Sequence, residues 1–404
     1  MSVEHEARNE AGPGANGPNA RPRGPAGGAG AAPPVEGAGT ARPADGAQAG
    51  GAAADGAQGP GAAADGVQGP GEAVEAVEAV EAVEAVEAVE GIFASVGVTG
   101  RLHVRPLGAA GDGPREGRGG EVALRADEQV VIASIFKILL VLEFARQAAT
   151  GRLDPRERIR VRAGDRLGGW GVAGCADDAE LSLRDLAYFA MSVSDNTAAD
   201  VLLRRIGLDV LPLLTAELGL TRTRVRGGPR QLLESMLADV GARDGGEFAR
   251  VYPTLTTEQV RALRVFDPEH TTSSTAREIT RLLELIWQDA AGPPAACAAV
   301  RELMARQVFW TRLGSGFPPE VRLAAKTGTL PGLHMEAGVV EYPDGGRYAI
   351  AVFAAAESLR SRGIDIDLAI GEAARTAVEH LRAAAPPAAR HPGFSGADGP
   401  GRSL

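Results

Sequence analysis

The stretch QVVIASIFKILLVLEF, residues 129–144, carries Ser134 and Lys137 one helical turn apart in a run that is otherwise oily. From Ser134 to about Thr150 apolar residues recur on nearly every side of a helix, the pattern of a helix buried inside a fold rather than laid on its surface. Such a helix needs elements packed all around it. Lysine is also rare in this chain. There are 42 Lys plus Arg, yet only Lys137 and Lys326 are lysines. Arginine stays protonated in proteins, whereas lysine in apolar surroundings can lose its proton. Two lysines kept where arginine serves everywhere else point to chemistry that arginine cannot perform.

Working outward, EVALRADEQVVIA (121–133) reads as a strand, paired across a Gly-rich loop with VTGRLHVRPL (98–107). On the other side, LSLRDLAYFAMSVS (181–194) and TAADVLLRRIG (197–207) are helical, with Gly207 near the second one's end. Residues 225–270, rich in Gly, Asp and Arg, read as irregular. Helices follow over 274–290 and 294–307. The chain then returns to strands at RLAAKTGTL (322–330), MEAGVVEYP (335–343) and RYAIAVFAAA (347–356), and closes with a helix over 364–385. Strands from both ends enclose a helical middle. The expected fold class is α+β, a five-stranded antiparallel sheet flanked by N- and C-terminal helices with a helical domain inserted.

Outside that region the sequence changes character. Residues 1–71 are Gly, Ala and Pro with scattered charge, including the near-duplicate GAAADGAQGP/GAAADGVQGP. Such segments bury too little apolar area to offset their ordering entropy, so disordered tails are expected over 1–71 and 386–404. The EAV repeat before Gly91 favours helix, but its period of three winds the valines around the axis. Only the turns toward Ile92 and Phe93 can dock, with Gly91 a stop or kink. One domain over 72–385 remains, with a sheet lobe (72–133 and 322–385) and a helical lobe (134–321).

Composition excludes several classes. The 404-residue chain has a net charge of −10 and no basic cluster, which disfavours nucleic acid or an anionic membrane as partner. No apolar run approaches the ~20 residues that span a bilayer. MSVEHEARNE has neither a basic n-region nor an apolar h-region, so a cytoplasmic protein is expected, or a secreted one if the true start or export route differs. Cys175 and Cys297 are far apart and are expected as two buried free thiols. The six histidines do not cluster and HExxH is absent, so neither metal nor cofactor is expected.

Three short motifs stand out: Ser134-x-x-Lys137, Ser194-Asp195-Asn196 and Lys326-Thr327-Gly328. Ser134 at a helix start can aim its own N–H at a developing oxyanion. Lys137, in the positive half of the same helix and among Ile135, Phe136, Ile138 and Leu139, is placed to lose charge and act as general base on Ser134. Read alone, the pair is equally an N-cap serine and a snorkelling lysine, Ser194–Asn196 a capped helix junction, and Lys326 a strand-edge guard. Together, in this order, and holding both lysines of the chain, the three motifs outweigh those readings.

The set resembles the penicillin-recognising serine hydrolases, class A β-lactamases most closely, over about residues 75–385. The resemblance implies a β-lactamase/transpeptidase-like fold and an acyl-serine mechanism on β-lactams or related peptide-like amides, in a monomer. It implies Ser134 as nucleophile, Lys137 as base, and Ser194 as proton relay to the leaving nitrogen. Asn196 is implied as a partner of substrate carbonyl and Lys137, with Asp195 holding the loop. Lys326, kept charged near Ser194, would bind a substrate carboxylate together with Thr327 and Thr329. The Thr329 N–H would be the second oxyanion donor beside that of Ser134, and Gly328 would let the strand approach the ligand closely.

Two features depart from the family pattern. The glutamate that activates deacylating water, followed by Asn, has no evident counterpart among Glu234, Glu247, Glu258 and Glu269; Glu234 is the best-placed candidate. The arginine on the strand after Lys-Thr-Gly is missing, and LHMEAGVV offers His334, Met335 and Glu336, whose carboxylate would repel an anionic substrate. Losing a positioned base typically costs ~10²–10⁴ in rate, so an acyl-enzyme can persist. The leading expectation is a β-lactam hydrolase. The alternatives are a penicillin-binding D-Ala-D-Ala peptidase or esterase, or a catalytically impaired binder of β-lactams or peptides.

Overall fold

A computed structural model describes residues 70–108, 120–359 and 363–384. The expected tails, 1–71 and 386–404, lie outside those residues apart from Pro70 and Gly71, which open the first helix. In chain order the elements begin with α1 (Pro70–Ser95), β1 (Val98–Pro106), β2 (Val122–Leu124), β3 (Val130–Val131) and α2 (Lys137–Ala149). Next come β4 (Arg158–Val161), β5 (Ala179–Ser182), α3 (Leu183–Ser192), α4 (Asn196–Ile206) and α5 (Val210–Glu217). Then follow α6 (Pro229–Asp239), α7 (Gly245–Val251), α8 (Thr257–Arg261), β6 (Ser273–Ser274), α9 (Ala276–Trp287) and α10 (Pro294–Met304). The last are α11 (Leu313–Gly316), β7 (Arg322–Leu330), β8 (Leu333–Glu341), β9 (Arg347–Ala356) and α12 (Ile364–Ala384).

The main sheet is five-stranded and antiparallel, in the order β2-β1-β9-β8-β7. The first and last long strands lie side by side, from Val98 opposite Ala356 to Pro106 opposite Tyr348. Successive side chains of a strand face opposite ways, so both faces of β9 are apolar. Ile350, Val352 and Ala354 pack with Phe93, Ile370 and Val378 of α1 and α12. Ala349, Ala351 and Phe353 pack into the larger core that holds α2 and α9. In α2 the run from Ile138 to Leu142 is fully buried, which accounts for its lack of a polar side. Truncating Leu139 to alanine is expected to cost about 2–5 kcal/mol.

At α1, Ala85, Val89 and Phe93 form the buried face, spaced by four. The helix runs through Gly91 to Ser95 instead of stopping there. The single strand read over 121–133 is two: β2 joins the main sheet, and β3 pairs with β6 after a turn in which Arg125 takes a φ of 47°. Residues 225–270 are not irregular but hold α6, α7 and α8. Their short spans are set by local caps rather than an apolar stripe. Asp244 accepts from the Glu247 N–H, Thr256 accepts from that of Gln259, and Pro229 opens α6. Of the two free thiols only Cys297 is buried; Cys175 lies exposed at the end of a Gly-rich surface turn. No described helix is long and apolar enough to cross a membrane.

Candidate active site

The residues before α2 form a 3₁₀ turn, Ala133–Phe136, so Ser134 sits on a tight lead-in rather than on the helix proper. Ala133 has a φ of 41°, a left-handed conformation costly for a residue with a Cβ. The Ile135 N–H closes the turn on the Ile132 carbonyl at 2.9 Å. Ser134 emerges half-buried and lines two cavities.

Lys137, the first residue of α2, is fully buried. Its Nζ donates to the Ser194 carbonyl at 2.6 Å, to Asn196 Oδ1 at 2.8 Å and to Ser194 Oγ at 3.3 Å. Burial pulls the amine down to about 7, against the pull of the Asp195 carboxylate. A substantial fraction is therefore neutral near pH 7, one turn from the serine.

The Ser194–Asn196 segment is held in its own strained bend, with Ser194 at a φ of 59°. Asp195 caps α4 through the Ala198 N–H at 3.0 Å and reaches across to the Val172 N–H at 2.7 Å. Burial raises its carboxyl, and those N–H groups and Lys137 oppose the rise. The loop it grips contains Gly168, Gly169 and Gly171, all at positive φ. A Cβ on Gly171 would collide with the Asp195 carboxylate, so glycine is required there on two counts. The loop sets Gly169 and Trp170 into the wall of one cavity.

β7 forms the facing wall as an edge strand. Gly328 permits the approach: a Cβ there would sit 2.7 Å from Met335 Cγ and 3.0 Å from the Ile132 carbonyl, at the entrance to the serine turn. The outward N–H of Thr327 is taken by Gln307 Oε1 at 2.7 Å. Thr329, two residues on, shares that outward parity and lines both cavities. Lys326 lies behind this wall, fully buried, donating to the Thr327 carbonyl at 2.7 Å. Burial, then the neighbouring charge of Lys137, push its amine well below the ordinary lysine range. That is the reverse of the fixed ammonium expected from the sequence.

Two other expectations also change. Glu336 does not confront the cleft. It is fully buried opposite Thr327, accepting from the Leu313 N–H at 2.6 Å and from the Gln307 side-chain amide. Burial raises it to about 7. Glu234 is exposed on α6, whose cavity face is made by Gln231, Leu232 and Ser235. The structure therefore groups Ser134, Lys137, Ser194, Asn196, Thr327, Gly328 and Thr329 around one cleft, with Lys326 behind it and Glu234 outside it.

Arg312 is the residue the sequence reading missed. Its guanidinium donates to the Gly328 and Met335 carbonyls at 2.8 Å each, to Thr329 Oγ1 at 2.9 Å and to Asp367 Oδ1 at 2.8 Å. It reaches the β7 edge from the segment before the strand and forms part of the cleft wall. Asp367 is itself bound by His334 at 2.8 Å and Thr311 at 2.9 Å. Burial would raise its carboxyl, but these donors and Arg312 hold it at about 2. The family pattern puts an arginine on the strand after Lys-Thr-Gly, where this chain has none, and nothing local in QVFWTRLGSG (307–316) marks the one before it.

The model of the Beta-lactamase enzyme family matches residues 84–381. The chain belongs to this family. The β-lactamase regulatory protein BlaB of Streptomyces cacaoi is 30% identical over 272 residues, covering 63% of this chain and 84% of that protein. Among solved structures, a β-lactamase from Sphaerobacter thermophilus superposes with a TM-score of 0.57 at 23% identity, over 76% of this chain and 98% of its own. PBP-A superposes at 0.56 and 19%, over 73% and 96%; a mutant of PBP-A has been solved as an acyl-enzyme complex with penicillin G. At these identities the structures establish the β-lactamase fold for this chain, a mixed α+β architecture around the five-stranded sheet.

Proposed function

We propose that β-lactams, or amides of similar reactivity, acylate Ser134, and that the acyl group is then held for long periods rather than rapidly hydrolysed. Neutral Lys137 takes the Ser134 proton as Oγ bonds to the carbonyl carbon. The developing oxyanion accepts from the N–H groups of Ser134 and Thr329. When the C–N bond breaks, the proton passes through Ser194 to the leaving nitrogen. Thr327, Thr329 and Arg312 receive the substrate carboxylate, with Lys326 bracing the strand behind them, and the Asn196 amide meets the acyl carbonyl side.

The observation that carries this reading is the absence of a free carboxylate among the described residues lining the two cavities at Ser134. Asp367 is the one acid there, and Arg312, His334 and Thr311 hold it. Acylation has its base in Lys137; deacylation has no comparable group, a deficit of ~10²–10⁴ in rate. A lasting acyl-enzyme suits a receptor, and the Streptomyces cacaoi relative bears the name of a regulatory protein.

A fluorescent penicillin tests the reading. Labelling that survives gel filtration for hours and vanishes in Ser134→Ala is expected. Fast labelling with loss in seconds would instead make the chain a β-lactam hydrolase, and no labelling at Ser134 would overturn the acylation reading altogether.

A further inference from the structure

Ser134, Asn196 and Thr329 stand between two cavities, and the chemistry above places a substrate carboxylate in only one of them. The second cavity, of about 130 Å³, is walled by residues 226–229, the inner face of α6 and residues 270–272. That is close to the volume of a cavity that holds one small ring, about 150 Å³, enough for a short acyl side chain. Because the two cavities meet at Ser134, an acyl donor whose leaving portion occupies the Arg312 side directs its acyl side chain into the other.

The charge of that second cavity is one-sided. No Asp or Glu lines it, in a chain of net charge −10. Arg226 lines it, exposed, and its guanidinium has no ion-pair partner among the described residues. Four carboxylates of the surrounding segments are engaged elsewhere, Glu269 by Arg224, Asp239 by Arg264, Asp200 by Arg230, and Asp267 by His270 at 2.6 Å, and Glu234 on α6 lies outside the cavity lining. The backbone that presents Arg226 is fixed. Its N–H donates to Thr272 Oγ1 at 3.1 Å, and that hydroxyl donates to the Gly227 carbonyl at 3.2 Å. Ser235 and Thr271 add hydroxyl groups to the same walls. An arginine on a fixed backbone, with no counter-ion among the described residues and lining a cavity without acids, fits an anion.

We propose that Arg226, on the wall of this cavity, selects acyl donors whose side chain ends in a carboxylate. The substrate class is a lactam or amide bearing an anion at each end. This inference rests on the acylation of Ser134 proposed above.

The test compares two penams that share one nucleus, one with a phenylacetyl side chain and one with its α-carboxy counterpart. The second-order acylation constant of the full chain is read by intact-mass spectrometry. The dicarboxylate is expected to react about fivefold faster or more. The ratio should fall to about one in Arg226→Ala, drop below one in Arg226→Glu and survive in Arg226→Lys, with circular dichroism confirming that each variant folds. A second arm measures dissociation constants of both penams by calorimetry on Ser134→Ala, where no covalent step intervenes; the same preference and the same loss on adding Arg226→Ala are expected. No preference in either arm, or a preference indifferent to Arg226→Ala, overturns the subsite and leaves acylation standing. Absence of acylation with both penams overturns the acylation reading, and the calorimetric arm still decides the subsite.

Discussion

Raising the pH from 6 to 8 should speed acylation of Ser134 about tenfold. The perturbation acts on Lys137, whose fully buried amine is brought down to about 7. With that value the neutral fraction is about 9% at pH 6, half at pH 7 and about 91% at pH 8. Only the neutral amine can take the serine proton, so the rate follows that fraction. Glu336, also raised to about 7, titrates over the same range. Glu336→Gln removes its contribution and should leave the tenfold rise in place if Lys137 is the base. The assay is time-resolved labelling with a fluorescent penicillin at sub-saturating concentration, with folding checked at each pH. Lys137→Arg should lose ~10²–10⁴ in rate and the pH dependence with it, since guanidinium does not deprotonate. A profile flat from pH 6 to 8, or one that inflects only above 9, would show an ordinary ammonium at this position and refute the base assignment.

Three further outcomes follow from the same geometry. Arg312→Ala removes four hydrogen bonds at the β7 edge and should raise the penicillin concentration for half-maximal labelling rate by about 10–100-fold. It should also lower stability by about 3 kcal/mol in urea unfolding, because Asp367 loses its buried partner. The Glu336 carboxyl, raised from 4.5 to about 7, keeps its proton in the folded chain after the unfolded chain has lost it. Its contribution is thus complete below pH 4.5 and disappears as pH rises through 7, a change on the order of 3 kcal/mol. Comparing unfolding of wild type and Glu336→Gln at pH 5 and pH 7.5 should show that slope only in wild type. Gly171→Ala forces a Cβ onto the Asp195 carboxylate at a φ of 82° and should cost about 1–3 kcal/mol, with slower labelling as Ser194 and Asn196 lose their brace; an unchanged melting temperature and labelling rate would contradict that role.

Much of this architecture is legible in the residues because it is written in local periodicity. RYAIAVFAAA (347–356) reads as a strand from its β-rich composition and its bounds, and β9 occupies those same ten residues. The oily run after Ser134 is a buried helix because Ile138 to Leu142 leave no polar side. Ser134, Lys137, Ser194 and Asn196 meet in space because each motif lies at an element's end, where side chains converge. What depends on tertiary placement is not legible. The carboxylate of Glu336 lies beneath β7 because strand parity carries it there, and its donors are Gln307, from the segment between α10 and α11, and the N–H of Leu313, which opens α11. Arg312 arrives at the β7 edge from that same segment. Glu234 was singled out by its place in the chain, but the rotation of α6 presents Gln231 and Ser235 instead. Lys326 reads as an edge charge until its burial is seen.

The strand order has a consequence for how the protein comes to exist during synthesis. β1 cannot find β9 until almost the entire domain has left the ribosome, since Leu102 pairs with Val352. Until then β1 has only the short β2 to pair with, and the two lysines belong to parts of the nascent chain that have not met. Such long-range pairing is slow to close. A chain released before residue 347 would lack the strand that joins both ends of the sheet, so no N-terminal fragment, however much of the Ser134 helix it includes, can assemble the cleft on its own.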